Sequence, residues 1–241
     1  ILPRLSDDGT ESFKGVLEEE GYVPRPLENP KRTILMVLRP SLDELHQGLH
    51  HKWRYHLGKA RKQPLELVEG DEDSLFEDFE HIYDEMVDRK KFVSFTDIRQ
   101  FRMIQRGLMP GEKMWVVLCR VNGEVCSGGI CSALGDTGIY LFGATSNRGL
   151  KTYGSYLVYW RMLEWVKSLG CSTYDLNGID PVKNSGGYQF KSQLAGSRGR
   201  EVTFAGQYDA YPGATTRMLV AGADPLRARI RRRREAHAHW S

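Results

Sequence analysis

Long apolar runs are absent from this sequence of 241 residues. No stretch approaches the roughly 18 consecutive apolar residues of a membrane-spanning helix, and the start lacks the charged and apolar segments of a secretory signal. With 40% hydrophobic residues, the chain is predicted to be a globular, cytoplasmic protein of one large domain or slightly more. Because it begins with Ile1 and not with Met, we expect it to be a processed chain or a piece of a longer one.

Cysteine is also scarce, and its spacing argues against metal and disulfide frameworks. The four cysteines show no C-x-x-C spacing, and three of them lie in apolar runs, where a free thiol behaves as a small hydrophobe. They are Cys119, Cys126, Cys131 and Cys171. His46 and His50 are four residues apart on a predicted helix, but no cysteine or carboxylate cluster accompanies them. The sequence therefore predicts no metal site.

Charge is unevenly distributed, although the net charge is only +3. Residues 69–88 hold ten acidic residues and no Lys or Arg, a pattern typical of a solvated helix face. Residues 227–234 hold six arginines. This arginine-rich segment is compatible with contact to RNA phosphates, with peripheral contact to an anionic membrane surface, or with neither.

Residues 1–40 have too few elements to form a domain by themselves. They contain a predicted helix at 11–20, a proline-rich turn and a predicted strand at 32–38. One helix and one strand cannot bury both of their faces, so we expect these residues to be the closing part of a partial first domain. At the other end, residues 211–241 are predicted to form a basic tail.

A capping box begins the next helix. Ser41 and Glu44 fit the S-x-x-E pattern, and apolar residues recur at three- and four-residue steps, which predicts one long connecting helix within 41–63. Several lysines, among them Lys52 and Lys59, are predicted along one flank of its apolar stripe. Packing of their stems at the edge of a buried face and binding of phosphates are both compatible with this pattern.

The pattern from 64 to 210 resembles the GNAT acyltransferase fold. Two amphipathic helices come first, the second with Thr96 as its expected N-cap, and three strands joined by tight turns such as Asn122-Gly123 follow. The predicted strands and the later elements are strands 114–121, 124–133 and 138–144, helix 151–169, strand 172–178, a glycine-rich stretch with a short helix, and strand 200–208. This order predicts an α+β fold, a GNAT-like transferase domain with a central mixed sheet.

The junction "NRGLKTYGSYL", residues 147–157, resembles the GNAT phosphate loop, whose pattern is Q/R-x-x-G-x-G/A. Arg148 fits the first position. Lys151 and Tyr153 stand where glycine would let the backbone approach a phosphate at the helix N-terminus. The departure predicts that an ordinary coenzyme A site is absent.

Over most of residues 30–210 the chain resembles the FemABX family of peptidyl transferases. The resemblance rests on Trp53-Arg54, on the run from Tyr140 to Ile179 that includes "WVKSLGCSTYDLNGI", and on "GGYQFKSQLAG". It implies two GNAT-like domains, the first of them partial here. It also implies transfer of an amino acid from aminoacyl-tRNA to an amine of a peptidoglycan precursor or another peptide, with no further cofactor.

The family motif Y-x-F-K matches Tyr188, Phe190 and Lys191. The resemblance implies that Lys191 is a cation beside the terminal phosphate or the developing oxyanion, and that Phe190 is a platform for the terminal adenine. From spacing alone, a Phe-Lys pair on a short helix is more often one core residue and one surface residue. Where family members hold a nucleotide diphosphate with an arginine and a tyrosine, this chain has Phe95 and Arg99.

Three functions remain open from the sequence. Aminoacyl transfer needs no protein nucleophile because the ester is already activated, which agrees with the lack of a Ser-His-Asp or Cys-His constellation. An acyl-CoA-dependent GNAT enzyme and a non-catalytic binding module are the alternatives. We expect Lys191 to be the catalytic residue, and the expected substrate-binding residues are Tyr188, Phe190, Arg148, Lys151, Arg99 and Tyr153.

Overall fold

The computed structural model describes residues 7–25, 31–91, 97–204, 206–213, 215–216, 218–220 and 222–223. Contacts divide the chain into two compact units. One consists of Ile1–Lys31, Lys91–Val93 and Val202–Ser241, and the other consists of Arg32–Lys90 and Ser94–Glu201. The finer division expected from the sequence, with boundaries after residues 40, 63 and 210, stays a prediction.

The regular elements are numbered in chain order. The helices are α1 (Asp7–Glu19), α2 (Leu42–Gly48), α3 (His51–Ala60), α4 (Asp73–Lys90), α5 (Ile98–Gly107), α6 (Gly154–Ser168) and α7 (Ser185–Ala195). The strands are β1 (Val23–Arg25), β2 (Arg32–Val37), β3 (Leu65–Gly70), β4 (Trp115–Val121), β5 (Glu124–Leu134), β6 (Thr137–Thr145), β7 (Thr173–Asp175), β8 (Gly199–Thr203) and β9 (Gln207–Asp209). In the smaller unit, α1 precedes β1, and β1 pairs antiparallel with β9.

A seven-stranded mixed sheet has the order β3-β4-β5-β6-β7-β2-β8. The predicted meander is confirmed, because β4, β5 and β6 pair antiparallel in sequence order. The pair β6–β7 is parallel, whereas β2 pairs antiparallel with β7. The α+β fold class with a central mixed sheet is therefore confirmed.

Alternating side chains on the sheet pack against helices on both faces. Val117 and Cys119 of β4 share a buried cluster with residues of α3, α6 and α7. Val116 and Leu118 lie in a second buried cluster with residues of α4 and α5. Because neighbouring residues of a strand point to opposite faces, α3, α6 and α7 cover one face and α4 and α5 cover the other. We call these the α6 face and the α4 face.

Several element boundaries differ from the prediction. The expected long helix is two helices, because the chain is extended at Leu49 and His50, and the His50 N–H donates to the Gln193 carbonyl at 3.0 Å. The last predicted strand is divided between β8 and β9, which belong to different sheets and are separated at Gly206 (φ 116°). Strand β3 was not predicted at all. Thr96, the expected N-cap of α5, lies outside the described residues, and Asp97 caps α5 by accepting from the Arg99 N–H at 3.0 Å.

Strand β2 lies inside the seven-stranded sheet, although the sequence placed it in a partial first domain. Its register pairs Leu35 with Asp175, and Thr33, Ile34 and Met36 are buried. Adjacent buried residues mean that both faces of the strand are covered, as in the middle of a sheet. Its antiparallel partner β7 lies 140 residues further along the chain, because Leu35 pairs with Asp175.

Candidate functional site

Strands β6 and β7 separate part-way along their length. Their parallel register runs only from Thr137↔Thr173 to Ile139↔Asp175. Beyond this point β6 continues to Thr145, whereas the chain after β7 turns at Asn177, which has a φ of 60°. Among the strands that the structure describes, none pairs with the β7-side edge of β6 past Ile139. A separation of this kind leaves backbone hydrogen-bonding groups of β6 available to a ligand.

Lys191 lies at this separation. Its Nζ atom donates to the Gly178 carbonyl at 2.9 Å and lies 4.8 Å from the centroid of the Tyr140 ring, the first β6 residue past the paired segment. Burial lowers the pKa of Lys191 to about 8, an effect that the nearby Asp175 charge opposes. Lys191 is therefore half-buried and not freely exposed, because α7 directs this side chain inward against the sheet.

Asn184 fixes the start of α7 and thereby the position of Lys191. Its side chain accepts from the Gly187 N–H at 3.1 Å, which caps the helix. Leu194 and Ala195 of the same helix are buried in the cluster on the α6 face. The helix that carries Lys191 is consequently held at both ends.

Phe190 belongs to a set of contacting aromatic rings. Its ring centroid lies 5.7 Å from that of Trp53, 5.0 Å from that of Tyr156 and 4.8 Å from that of Tyr159. We call Trp53, Tyr156, Tyr159 and Phe190 the aromatic wall. Phe190 is partly buried against the core. Its expected role as an adenine platform stays a prediction, now limited to the part of the ring that the other three rings leave uncovered.

Two tyrosines, Tyr140 and Tyr159, form a hydrogen-bonded pair near Lys191. The Tyr159 hydroxyl donates to the Tyr140 hydroxyl at 2.6 Å, and burial raises the pKa of both groups, so both are neutral at physiological pH. A Cβ atom at Gly143 would lie 2.3 Å from the Tyr140 hydroxyl oxygen, so glycine provides the space for this pair on β6. The face of the Tyr140 ring thus offers the Lys191 ammonium a cation–π contact.

Tyr188 has a partner of its own. Its hydroxyl donates to the Glu201 carboxylate, and this hydrogen bond is the main reason that the pKa of Tyr188 is raised. No contact described for the chain joins Tyr188 to Lys191. Of the three residues of the Y-x-F-K motif, the structure therefore brings together Phe190 and Lys191 with the aromatic wall and directs Tyr188 elsewhere.

The loop that resembles a phosphate loop packs closely on β5. A Cβ atom at Gly149 would lie 1.8 Å from the Cys126 carbonyl oxygen, so this position accepts only glycine. Arg148 forms an exposed ion pair with Glu124 at 2.9 Å, and Lys151 is exposed. Tyr153 has a φ of 56° and stacks on His56 with 5.1 Å between the ring centroids.

His56 was missed by the sequence analysis and connects this loop to the aromatic wall. Its Nδ1 atom lies 2.8 Å from the Tyr156 hydroxyl oxygen. Burial, followed by the charges of Lys59 and Lys52, lowers the pKa of His56, which favours the neutral imidazole at physiological pH. Its spacing of three residues from Trp53, on the same side of α3, is the one sequence signal that could have indicated it.

Arg99 lies on the α4 face, whereas Lys191 lies on the α6 face. The guanidinium of Arg99 donates to the Asp84 carboxylate at 2.6 Å, between helices α5 and α4. The neighbouring Ile98 belongs to the buried cluster of that face. The structure therefore does not bring Arg99 together with the other predicted site residues. Phe95 lies outside the described residues.

Metal and membrane-spanning features are absent from the described part of the chain. There, no group of three or more His, Cys, Asp or Glu side chains is arranged to hold a metal ion. None of the helices in the described ranges combines the length and the apolar character needed to cross a membrane.

The family model of the acetyltransferase (GNAT) domain matches residues 51–192, from the start of α3 to the residue after Lys191. The chain belongs to this GNAT family. A search of curated protein sequences finds no match. The GNAT match covers β6, β7, the aromatic wall and Lys191, so these features belong to an acyltransferase domain.

Solved structures similar to this GNAT chain include FemX, with a TM-score of 0.74, 16% identity, and coverage of 87% of this chain and 70% of FemX. A second is the C-terminal domain of a putative lysylphosphatidylglycerol synthetase from Agrobacterium fabrum, with a TM-score of 0.53, 11% identity, and coverage of 88% and 68%. A third is L-PGS from Bacillus licheniformis, with a TM-score of 0.51, 11% identity, and coverage of 80% and 65%. At these identities the similarity establishes the fold alone.

Proposed function

We propose that this GNAT-fold protein transfers an aminoacyl group from aminoacyl-tRNA to an amine of a peptide, namely a peptidoglycan precursor. The observation that carries the proposal is Lys191, a shielded cation at the separation of β6 and β7 with an aromatic wall beside it. The FemABX resemblance and the similarity to FemX support it. Because the donor is charged tRNA, the proposal places the reaction in the cytoplasm.

In this reaction the acceptor amine attacks the ester carbonyl carbon. A C–N bond forms, the ester C–O bond breaks, and the proton lost by the amine is balanced by protonation of the leaving ribose oxygen. The Lys191 ammonium has three N–H donors, of which one is directed to the Gly178 carbonyl. The other two are proposed to stabilise the carbonyl oxyanion or the terminal phosphate. Phe190 is proposed to stack on the terminal adenine with the part of its ring that the other three rings leave uncovered.

The remaining predicted residues receive unequal roles. Lys151 and Tyr153 are proposed to contact the tRNA from the loop before α6, because Lys151 is exposed and Tyr153 is held beside the aromatic wall. Arg148 is engaged with Glu124, and Arg99 lies on the opposite face, so neither receives a role in transfer. The arginine-rich segment 227–234 lies outside the described residues, and its contact with RNA or a membrane surface stays a prediction.

A direct transfer assay tests the proposal. Purified protein is mixed with a peptide amine acceptor and either radiolabelled aminoacyl-tRNA or radiolabelled acetyl-CoA, and the labelled peptide is quantified in single turnover. We expect labelled peptide only with aminoacyl-tRNA. Label from acetyl-CoA alone would assign acyl-CoA-dependent chemistry instead, and no label from either donor across a set of acceptors would favour a non-catalytic binding module.

The pH dependence of transfer distinguishes a cationic Lys191 from a basic one. Because the pKa of Lys191 is lowered to about 8, its ammonium form dominates below that pH and is lost as the pH rises through it. Arginine stays protonated throughout this range. We therefore expect the rate of Lys191→Arg, divided by the parent rate, to rise above about pH 8. The ratio cancels titration of the acceptor amine; a ratio that falls with pH would assign Lys191 as a base.

Acetyl-CoA is expected to bind weakly or not at all, although the GNAT family match favours an acyl-CoA donor as the second candidate. Lys151 and Tyr153 place side chains where a pyrophosphate needs bare backbone, and the Gly154 N–H already donates to the Thr152 hydroxyl at 3.3 Å. Isothermal titration calorimetry with acetyl-CoA measures this. A dissociation constant in the micromolar range would make the acyl-CoA candidate the preferred one.

A further inference from the structure

The helices that cover the α6 face are predominantly basic. Segments 45–65, 137–163 and 182–200 together contain twelve Lys and Arg and no Asp or Glu, although the chain has 31 acidic residues. These segments supply α3, α7 and residues 154–163 of α6, and all three helices cover the α6 face. The last turn of α6 adds one acid, Glu164, and one base, Lys167. The acidic helix α4 covers the opposite face. The α6 face is therefore cationic in a protein whose net charge is only +3.

Lysines and tyrosines alternate on the exposed side of this cationic face. Lys52, Tyr55 and Lys59 are exposed on α3 at spacings of three and four residues, which align along one side of a helix. The Lys59 Nζ atom lies 4.9 Å from the centroid of the Tyr55 ring and 6.0 Å from that of Tyr153. Tyr55 is 58% exposed. We call Lys52, Tyr55, Lys59, Lys151 and Tyr153 the docking face.

The charges of the docking face are not neutralised within the described structure. Across those ranges, no carboxylate lies within ion-pair distance of Lys52, Lys59 or Lys151. By contrast, most arginines of the α4 face are paired; Arg102, for example, contacts three acidic side chains. Lysines without ion-pair partners beside the exposed Tyr55 ring and the half-buried Tyr153 ring are an arrangement suited to nucleic-acid phosphates and unstacked bases.

A row of contacting rings leads from the docking face to Lys191. Tyr153 stacks on His56, the His56 ring lies 5.0 Å from that of Tyr156, and the Tyr156 ring lies 5.0 Å from that of Phe190. The Phe190 ring in turn lies 4.8 Å from that of Tyr159. The Tyr159 ring lies 4.9 Å from that of Tyr140, whose ring contacts the Lys191 ammonium. A single strand whose phosphates follow the lysines can therefore reach Lys191 along ring surfaces. The outer side of α3 carries tyrosine and histidine in place of the Leu, Phe or Trp that anchors helices in lipid, which favours RNA over a membrane surface.

We propose that the docking face binds the phosphates of the acceptor arm of tRNA and directs its 3′ end to Lys191. This inference rests on the proposed function for the identity of the RNA. Under this proposal Lys52, Lys59 and Lys151 contribute to tRNA binding, and none of them takes part in the chemical step. The sequence left open whether Lys52 and Lys59 pack their stems at the edge of a buried face or bind phosphates. Here they are proposed to bind phosphates of the tRNA.

Binding of uncharged tRNA at several salt concentrations tests the docking face without requiring transfer. The double variant Lys52→Gln/Lys59→Gln removes two charges from it, and Arg106→Gln/Lys113→Gln removes two charges from residues outside it. The logarithm of the tRNA association constant falls linearly as log salt rises. Each lost phosphate contact should make this slope less steep by about 0.7–0.9. We expect a loss of about 1.4–1.8 in slope and roughly tenfold weaker binding for the first pair only. Lys151→Gln should lower the slope by about half as much.

Three results would overturn the docking face: unchanged slopes in both pairs, equal losses in both pairs, or no binding of tRNA by the parent. Sedimentation with phosphatidylglycerol vesicles tests binding to lipid. If the Lys52/Lys59 pair weakened vesicle binding and left tRNA binding unchanged, the docking face would be assigned to a membrane surface. Failure of the proposed function has a different signature. In that case the Lys52/Lys59 pair would still weaken tRNA binding, but no aminoacyl transfer would be detected in any variant.

Discussion

Lys191→Met is expected to lower the single-turnover rate of aminoacyl transfer by about 100-fold, which is the usual loss when one donor to a developing charge is removed. Methionine keeps an unbranched stem over the Tyr140 ring but has no charge and no N–H donor. The effect should fall on the rate at saturating tRNA. Rapid-quench measurement with radiolabelled aminoacyl-tRNA gives this rate directly.

Lys183→Met is the matched control for Lys191, because Lys183 is exposed in the turn before α7. It should transfer at the parental rate. Melting temperatures are needed for both variants, because Lys191→Met has two opposing effects on stability. It leaves the Gly178 carbonyl without its hydrogen-bond donor, and it removes the cost of burying a charge. A Lys191→Met protein that is folded and transfers as fast as the parent would remove Lys191 from the reaction.

Local patterns in the sequence were sufficient to predict the β4–β6 meander and the capped start of α2. The Asn122-Gly123 turn joins β4 to β5, and the Ser41 hydroxyl accepts from the Glu44 N–H while the Glu44 carboxylate accepts from the Ser41 N–H. Both features depend on residues that are close in sequence. The glycine-rich stretch also forms the predicted short helix, with Lys191 on it.

The features that the sequence could not provide depend on distant partners. The break between α2 and α3 is stabilised by a hydrogen bond from His50 to Gln193, which no helical periodicity encodes. The contact between His56 and Tyr156 joins residues 100 positions apart. The shielded position of Lys191 likewise results from the separation of β6 and β7, which is a property of strand pairing and not of the Y-x-F-K motif.

Lys151 and Tyr153 depart from the GNAT loop pattern, whereas Gly149 is required for a reason unrelated to phosphate. A side chain at Gly149 would collide with the β5 backbone, so glycine serves packing there. Tyr153 instead adopts a left-handed conformation that is unusual for a bulky residue and places its ring on His56. Glycine at this loop therefore serves packing on β5, and Tyr153 is placed against α3.

Trp53→Ala is expected to lower the free energy of unfolding by about 3–5 kcal/mol, the usual cost of truncating a buried aromatic residue. Trp53 is 0% exposed, and its ring packs against those of Tyr156 and Phe190. Trp53→Phe should lower the free energy of unfolding much less. Trp53 Nε1 has no hydrogen-bond partner in the described structure, so the substitution removes side-chain volume and no hydrogen bond. Urea unfolding followed by tryptophan fluorescence and circular dichroism measures both changes.

Trp53 also supports Phe190, so its loss should reach the reaction as well as the stability. Trp165→Ala is the control: Trp165 lies on α6 and stacks on Trp115 at 5.4 Å, so its removal should destabilise the fold without touching the aromatic wall. At a temperature where every variant is folded, we expect slower transfer for Trp53→Ala and parental transfer for Trp165→Ala. Equal transfer rates in the two alanine variants would mean that the wall holds the core together and has no part in positioning the RNA end beside Lys191.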